Sequence, residues 1–229
     1  TSRPNWATTG TDRRHTFMTR TAVVVGVGGG LGTAIFERLA TSGTPTIICS
    51  GHPETTEPLA SDLREAGDDA LSFACAPSDP IDIAEGFPEA LAVFDTIDVV
   101  VFTAGATASG GLVELGRSAF LDALHRDVLG GFCTARAVVP RMQTWGTGTL
   151  VFVGSATAHE GAGGRVGPSS THPGLRGLAA SIREEVADEI AVSHVAVGDG
   201  AEMERVAAEV VDLLEEEIED EYRLGGRDE

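Results

Sequence analysis

Apolar positions along the chain follow two periods in turn. Short β-branched runs alternate with longer stretches in which apolar residues recur every three or four places. The first pattern reads as a strand buried on both faces, the second as an amphipathic helix. Ala22–Val27 is the first strand, and Leu31, Ile35 and Leu39 mark one face of a helix over Gly30–Ser42. Further strands are predicted at Pro45–Cys49, Ala70–Cys75, Ile97–Thr103, Thr149–Gly154 and Ile190–Val197. Helices are predicted up to Gly67 and over Ile81–Val93, Arg117–Trp145, Pro173–Asp188 and Ala201–Glu221. Such alternation predicts right-handed crossovers and a doubly wound parallel sheet, an α/β fold of three layers in a single domain over residues 20–221.

Residues 1–19 are rich in Thr, Arg and Ser, lack periodicity and are expected to be disordered. Met18 is the expected natural start, with the preceding residues an extension; a transit peptide is disfavoured because no amphipathic helix forms there. The acidic run Asp212–Glu221 reads as a solvated helix face, and residues 222–229 as a frayed tail.

Composition narrows the partners. The 229 residues are 42% hydrophobic, enough for a packed core, and carry a formal net charge of −19. That charge argues against nucleic acid and against an anionic membrane surface. All 16 basic residues are Arg, and Lys is absent. A high-salt cytoplasm or codon bias would each produce this. Cys49, Cys75 and Cys133 are far apart and fit neither a disulfide framework nor a metal motif, so they read as reduced core residues of a cytoplasmic protein. The six His and many acids show no metal-ligand spacing.

The candidate chemistry begins where the first strand ends, at Gly26-Val27-Gly28-Gly29-Gly30-Leu31-Gly32. Glycines allow positive φ and close approach, and the free N–H groups of the following helix suit an anion. After a strand and before a helix, this pattern suggests a dinucleotide pyrophosphate site of the Rossmann type, with Gly26, Gly28, Gly30, Leu31 and Gly32 against the ligand.

Several motifs together resemble the short-chain dehydrogenase/reductase family over roughly Thr19 to Leu214. Its Gly-x-x-x-Gly-x-Gly motif is matched at Gly26, Gly30 and Gly32. Its Asn-Ala-Gly motif corresponds to Thr103-Ala104-Gly105, which would place Ala104 and Gly105 beside the cofactor. Asp127 stands where the family has an Asn supporting a proton-relay water, and Ser155 where it has a substrate-orienting Ser. The family's Tyr and Lys, thirteen and seventeen residues after that Ser, correspond to Pro168 and His172. Pro168 cannot donate a proton, and the chain's single Tyr, Tyr222, lies far along the sequence. Pro173 is expected to open the next helix, which would leave Gly167–Thr171 as loop.

After the second strand the family uses an acidic residue for NAD. Ser50-Gly51-His52 has none, so NAD is disfavoured; NADP remains possible through His52, at a weakened site. Ala76 stands where the family contacts adenine with Asp, with Asp79 a displaced substitute. After Gly198-Asp199-Gly200 the chain enters its last helix almost directly, so the family's substrate-covering segment and final strand are expected to be missing.

Two functions follow. With Pro168 and His172 at the Tyr and Lys positions, the first is an NAD(P)-fold protein acting without standard catalysis, as a nucleotide-binding or partner subunit; the resemblance also implies a homo-oligomer through the long helix, where Phe120, Leu124, Val128, Phe132 and Ala135 form an apolar stripe. The alternative is a divergent NADP-dependent oxidoreductase of carbonyl or alcohol substrates that uses Ser155, His172 and Asp127. A Ser–His hydrolase with Asp127 or Glu160 as the acid lacks the elbow motif of those enzymes.

Overall fold

A computed structural model describes residues 20–26, 30–76, 79, 82, 88, 92–93, 96–103, 105, 110–156, 161–186, 189–216 and 218–225. The predicted tail 1–19, nearly all of the predicted helix at Ile81–Val93, and Gly28 and Ala104 lie outside them.

The strands are β1 (Ala22–Val25), β2 (Thr46–Ser50), β3 (Ala70–Ala74), β4 (Val99–Thr103), β5 (Thr149–Ser155), β6 (Ala191–Val197) and β7 (Glu221–Leu224). They form one parallel sheet in the order β3-β2-β1-β4-β5-β6-β7. Every residue of β1, β2 and β4 is buried, as the unbroken apolar runs of these central strands require. On one face, Ile35, Phe36 and Leu39 of α1 (Leu31–Thr41), Ala60 and Leu63 of α2 (Pro53–Ala66) and Val206 and Val210 of α6 (Met203–Leu213) close over the sheet. On the other, α4 (Gly130–Trp145) and α5 (Val166–Val186) bring Ala135, Val138, Met142, Leu175 and Ala179.

The predicted long helix keeps its ends but not its regularity. It begins as α3 (Arg117–Leu124), passes through a π turn at His125–Leu129 and continues as α4. Of the predicted interface stripe, Ala135 is buried in the core, whereas Phe132 is 44% exposed.

Three expectations are corrected. α5 begins at Val166 rather than Pro173, so Gly167–Thr171 is helix and not loop. Pro168 falls in the first turn, where backbone N–H groups have no partner within the helix, so its missing N–H does not break it. Pro173 is carried inside the helix at the loss of one internal hydrogen bond. The last helix stops at Leu213, with no basic side chain in its final turn to offset the acidic run that follows. That run turns back, and Tyr222–Leu224, read as frayed tail, end strand β7, with Val195 paired to Tyr222 and Val197 to Leu224. Arg183 secures the return by donating to the carbonyls of Val192 and Asp220. The final strand expected to be missing is therefore present, whereas the connection from β6 to α6 is short, as expected.

Candidate functional site

The strand order reverses direction between β1 and β4, which makes the C-terminal ends of these strands the natural crevice. Gly26 closes β1 with φ of 94°. A Cβ there would stand 2.4 Å from the Thr103 carbonyl oxygen, so only glycine fits. The Thr103 hydroxyl donates to the carbonyls of Gly26 (2.5 Å) and Val25 (3.3 Å), stitching the end of β4 to the glycine turn. Gly30, with φ of 90°, precedes α1 and has open space where a Cβ would point. Leu31 opens the helix, whose first turn carries no acidic residue and no side-chain cap. Gly32 packs inward.

At the end of β2, His52 precedes α2 and its Nδ1 lies 3.2 Å from Glu54 Oε1; both side chains are exposed. Glu54 ionises more readily than an ordinary Glu, first through a backbone N–H and then through His52. The candidate phosphate contact thus already has an anionic neighbour. At β3 the Ala76 N–H donates to Asp82 Oδ2 at 3.2 Å, so Asp82 brings a carboxylate to the end of that strand. Cys49 and Cys75 are buried there, and burial raises both thiols, Cys75 to about 12.

The remaining candidates lie together. The π turn carries Asp127 to full burial. Its Oδ1 accepts the Gly105 N–H at 3.0 Å and its Oδ2 accepts the Thr171 hydroxyl at 2.7 Å. Burial raises the Asp127 carboxyl above the ordinary range; the hydrogen bonds from Thr171 and Gly105 and the charge of Arg126 oppose this without cancelling it. His172 is 6% exposed. Its Nδ1 accepts the Ser155 backbone N–H at 2.6 Å, so the neutral ring carries its proton on Nε2, which lies 3.7 Å from Asp127 Oδ2. Ser155 itself ends β5 at the same level, paired with Val197 of β6. Ser155, His172 and Asp127, chosen from the sequence, therefore form one network, whereas Pro168 is buried in the first turn of α5.

Sequence reasoning missed four participants. Thr171 lies beside His172 but carries no motif. Arg126 packs its side chain over Gly105. His194 of β6 faces His172 across Gly154, where an added Cβ would lie 3.4 Å from each ring. Thr103, noted only as the departure from the family's Asn, is the residue that ties β4 to the glycine turn.

Loops close the site from the side. The Gly110 N–H donates to the Gly164 carbonyl at 2.7 Å, and Arg165 pairs with Asp199 at 2.6 Å, joining the segments after β4, before α5 and after β6.

A sequence profile described as short chain dehydrogenase matches residues 20–206. The chain belongs to the short-chain dehydrogenase family. Carbonyl reductase family member 4 of Danio rerio is 30% identical over 79% of this chain and 76% of its own length. The 3-oxoacyl-[acyl-carrier-protein] reductase of Homo sapiens is 29% identical over the same shares. Among solved structures, an alcohol dehydrogenase from the archaeon Thermococcus sibiricus complexed with 5-hydroxy-NADP has a TM-score of 0.83 at 22% identity, covering 92% of this chain and 99% of that one. A metagenomic short-chain oxidoreductase in complex with NADP has a TM-score of 0.80 at 25% identity, covering 90% and 96%. This family member keeps the family's sheet and glycine turn, and has Pro168 and His172 where the resemblance expects Tyr and Lys.

Proposed function

We propose that this chain is an NADP-linked oxidoreductase of carbonyl or alcohol substrates, working with Ser155, His172 and Asp127. The glycine turn supports the cofactor part. Gly30 leaves open space before α1, and the helix start has neither a side-chain cap nor an acidic first turn, which suits a pyrophosphate. No carboxylate stands at Ser50–His52 to hold a free ribose hydroxyl, which favours NADP over NAD. The bound dinucleotide would supply or accept the hydride.

The observation that carries the reading is the imidazole of His172 held between the Ser155 N–H and Asp127. Hydride addition to a carbonyl leaves an alkoxide that needs a proton. Ser155 would orient the substrate oxygen through its hydroxyl. The His172 Nδ1 lone pair is aimed at the level of Ser155, and Asp127 behind Nε2 would stabilise an imidazolium. In reduction, Nδ1 would first take a proton from water, giving up the Ser155 N–H; the imidazolium would then pass that proton to the alkoxide, and the neutral ring would accept the Ser155 N–H again. In oxidation, Nδ1 receives the alcohol's proton.

One observation favours a second reading, a dinucleotide-binding subunit without turnover: the His172 ring is nearly closed to solvent and its Nδ1 is already engaged. A single experiment separates them. NADPH consumption is followed with aliphatic ketones and 3-oxoacyl thioesters, for wild type and for Ser155→Ala and His172→Ala. Turnover that both substitutions lower by about 100-fold or more establishes the first reading. Tight NADPH binding with no turnover on any substrate establishes the second.

A further inference from the structure

One cation beside this network has no assigned work. Arg126 lies in the π turn, next to Asp127 and on the same edge as Ser155. Its side chain crosses Gly105, where an added Cβ would come within 2.7 Å of Cδ and 3.1 Å of Nε. Gly105 lies two residues after Thr103, whose hydroxyl donates to the Gly26 carbonyl at the end of β1. Among the described residues, the one charged neighbour recorded for the arginine is Asp127. Its Nε has no hydrogen-bond partner among the described residues, and the Asp127 Oδ1 beside it is 4.0 Å away, beyond hydrogen-bond reach. That carboxylate is already engaged by the Gly105 N–H and by Thr171. By contrast, Arg165 at the rim of the same edge is held by Asp199 at 2.6 Å. Arg126 also keeps 39% of its side chain exposed, so a ligand can reach it.

An always-charged planar guanidinium matches a pair of anionic oxygens. We propose that Arg126 is the anion contact of this crevice, receiving phosphate or carboxylate oxygens of the ligand. The inference rests on the proposed reading for the identity of the ligand, but not for the existence of the anion site. It also supplies a positive charge to an edge whose chain contains no Lys.

The test is calorimetric titration at low ionic strength of wild type, Arg126→Met and Arg126→Lys. The probes are NADPH, inorganic pyrophosphate, and acetoacetate or acetone in the presence of NADP. Arg126→Met keeps the apolar stem over Gly105 and removes the charge, and an unchanged Tm verifies that the fold is kept. The expected result is at least a tenfold loss of affinity for an anionic probe in Arg126→Met, partial recovery in Arg126→Lys, and no change for acetone. Loss for NADPH and pyrophosphate assigns the anion to the dinucleotide; loss for acetoacetate alone assigns it to the substrate. Equal binding of all three anions by wild type and Arg126→Met overturns the inference and leaves the dinucleotide reading standing. Wild type that binds acetoacetate or pyrophosphate through Arg126 but not NADPH does the reverse. Wild type that binds none of the three anions overturns both.

Discussion

The glycine turn after β1 and the network behind β5 lie on one edge of one sheet, yet they relate to their family in opposite ways. The turn works through backbone: positive φ at Gly26 and Gly30, a close approach to Thr103, and unpaired N–H groups at the start of α1. The glycines at 26 and 30 are what this geometry requires. The network works through side chains, and there α5 stays helical through Pro168 and His172, the positions where the resemblance expects a phenol and an ammonium. Scaffold and chemistry are therefore separable here. A helix can survive the exchange of its reactive groups, whereas a glycine turn and its function fall together.

The strongest way to break the backbone half is Gly26→Ala. The new Cβ meets the Thr103 carbonyl oxygen at 2.4 Å and the residue keeps a left-handed φ. Strain and overpacking together predict a loss of roughly 3 kcal/mol in urea unfolding, with more than tenfold weaker NADPH binding by calorimetry. His172→Ala tests the side-chain half. It leaves the buried Ser155 N–H and Asp127 without the imidazole, at a cost of about 2 kcal/mol by urea unfolding. NADPH affinity should stay nearly unchanged, because the turn is untouched; a large loss of affinity would show that the two regions are not separable.

The fold was largely legible because each central strand is an unbroken apolar run, as at Val99–Thr103, and each helix carries its own period, as at Leu31, Ile35 and Leu39. β7 was not legible, since four residues after a run of acids carry too little pattern and are held by contacts from Arg183 and Arg176, distant in sequence. The start of α5 was misjudged because Pro173 suits a helix's first turn and so looked like its opening; it is carried inside the helix instead, and Pro168 takes the first turn. Within the site, counting from Ser155 leads to His172, and the two residues are in contact because both sit on regular elements in fixed register. The contacts of Thr171 and Arg126 with Asp127 were not legible, because they depend on a π turn that no spacing rule announces.

A subtler test sharpens the comparison through Asp127. Its folded carboxyl is raised by burial, so it favours the protonated form. The stability this gives is fully present below the unfolded value, about 3.9, and is lost as pH rises through the folded value. Asp127→Asn keeps the acceptor for Gly105 without the buried charge. Its Tm should exceed that of wild type at pH 8, and the gain should vanish as pH falls to the ordinary Asp range. A wild type more stable than the variant at pH 8 would mean that His172 or Arg126 compensates the carboxylate fully. The smallest effect is expected at the rim. Arg165→Ala removes the partly exposed pair with Asp199 and should lower stability by about 0.5 kcal/mol in urea unfolding, less at high salt, without altering NADPH affinity.

The π turn also bears on how this chain tolerates changes of length. A turn of that kind holds one residue more than the α-helix on either side of it. Removing a single residue from an ordinary helix rotates everything beyond the gap and misplaces one face. Between His125 and Leu129 the same deletion can be absorbed by relaxation to plain α-helix, with α3 and α4 keeping their faces toward the sheet. The long helix thus contains one dispensable position, and what its loss removes is the bulge that brings Asp127 inward.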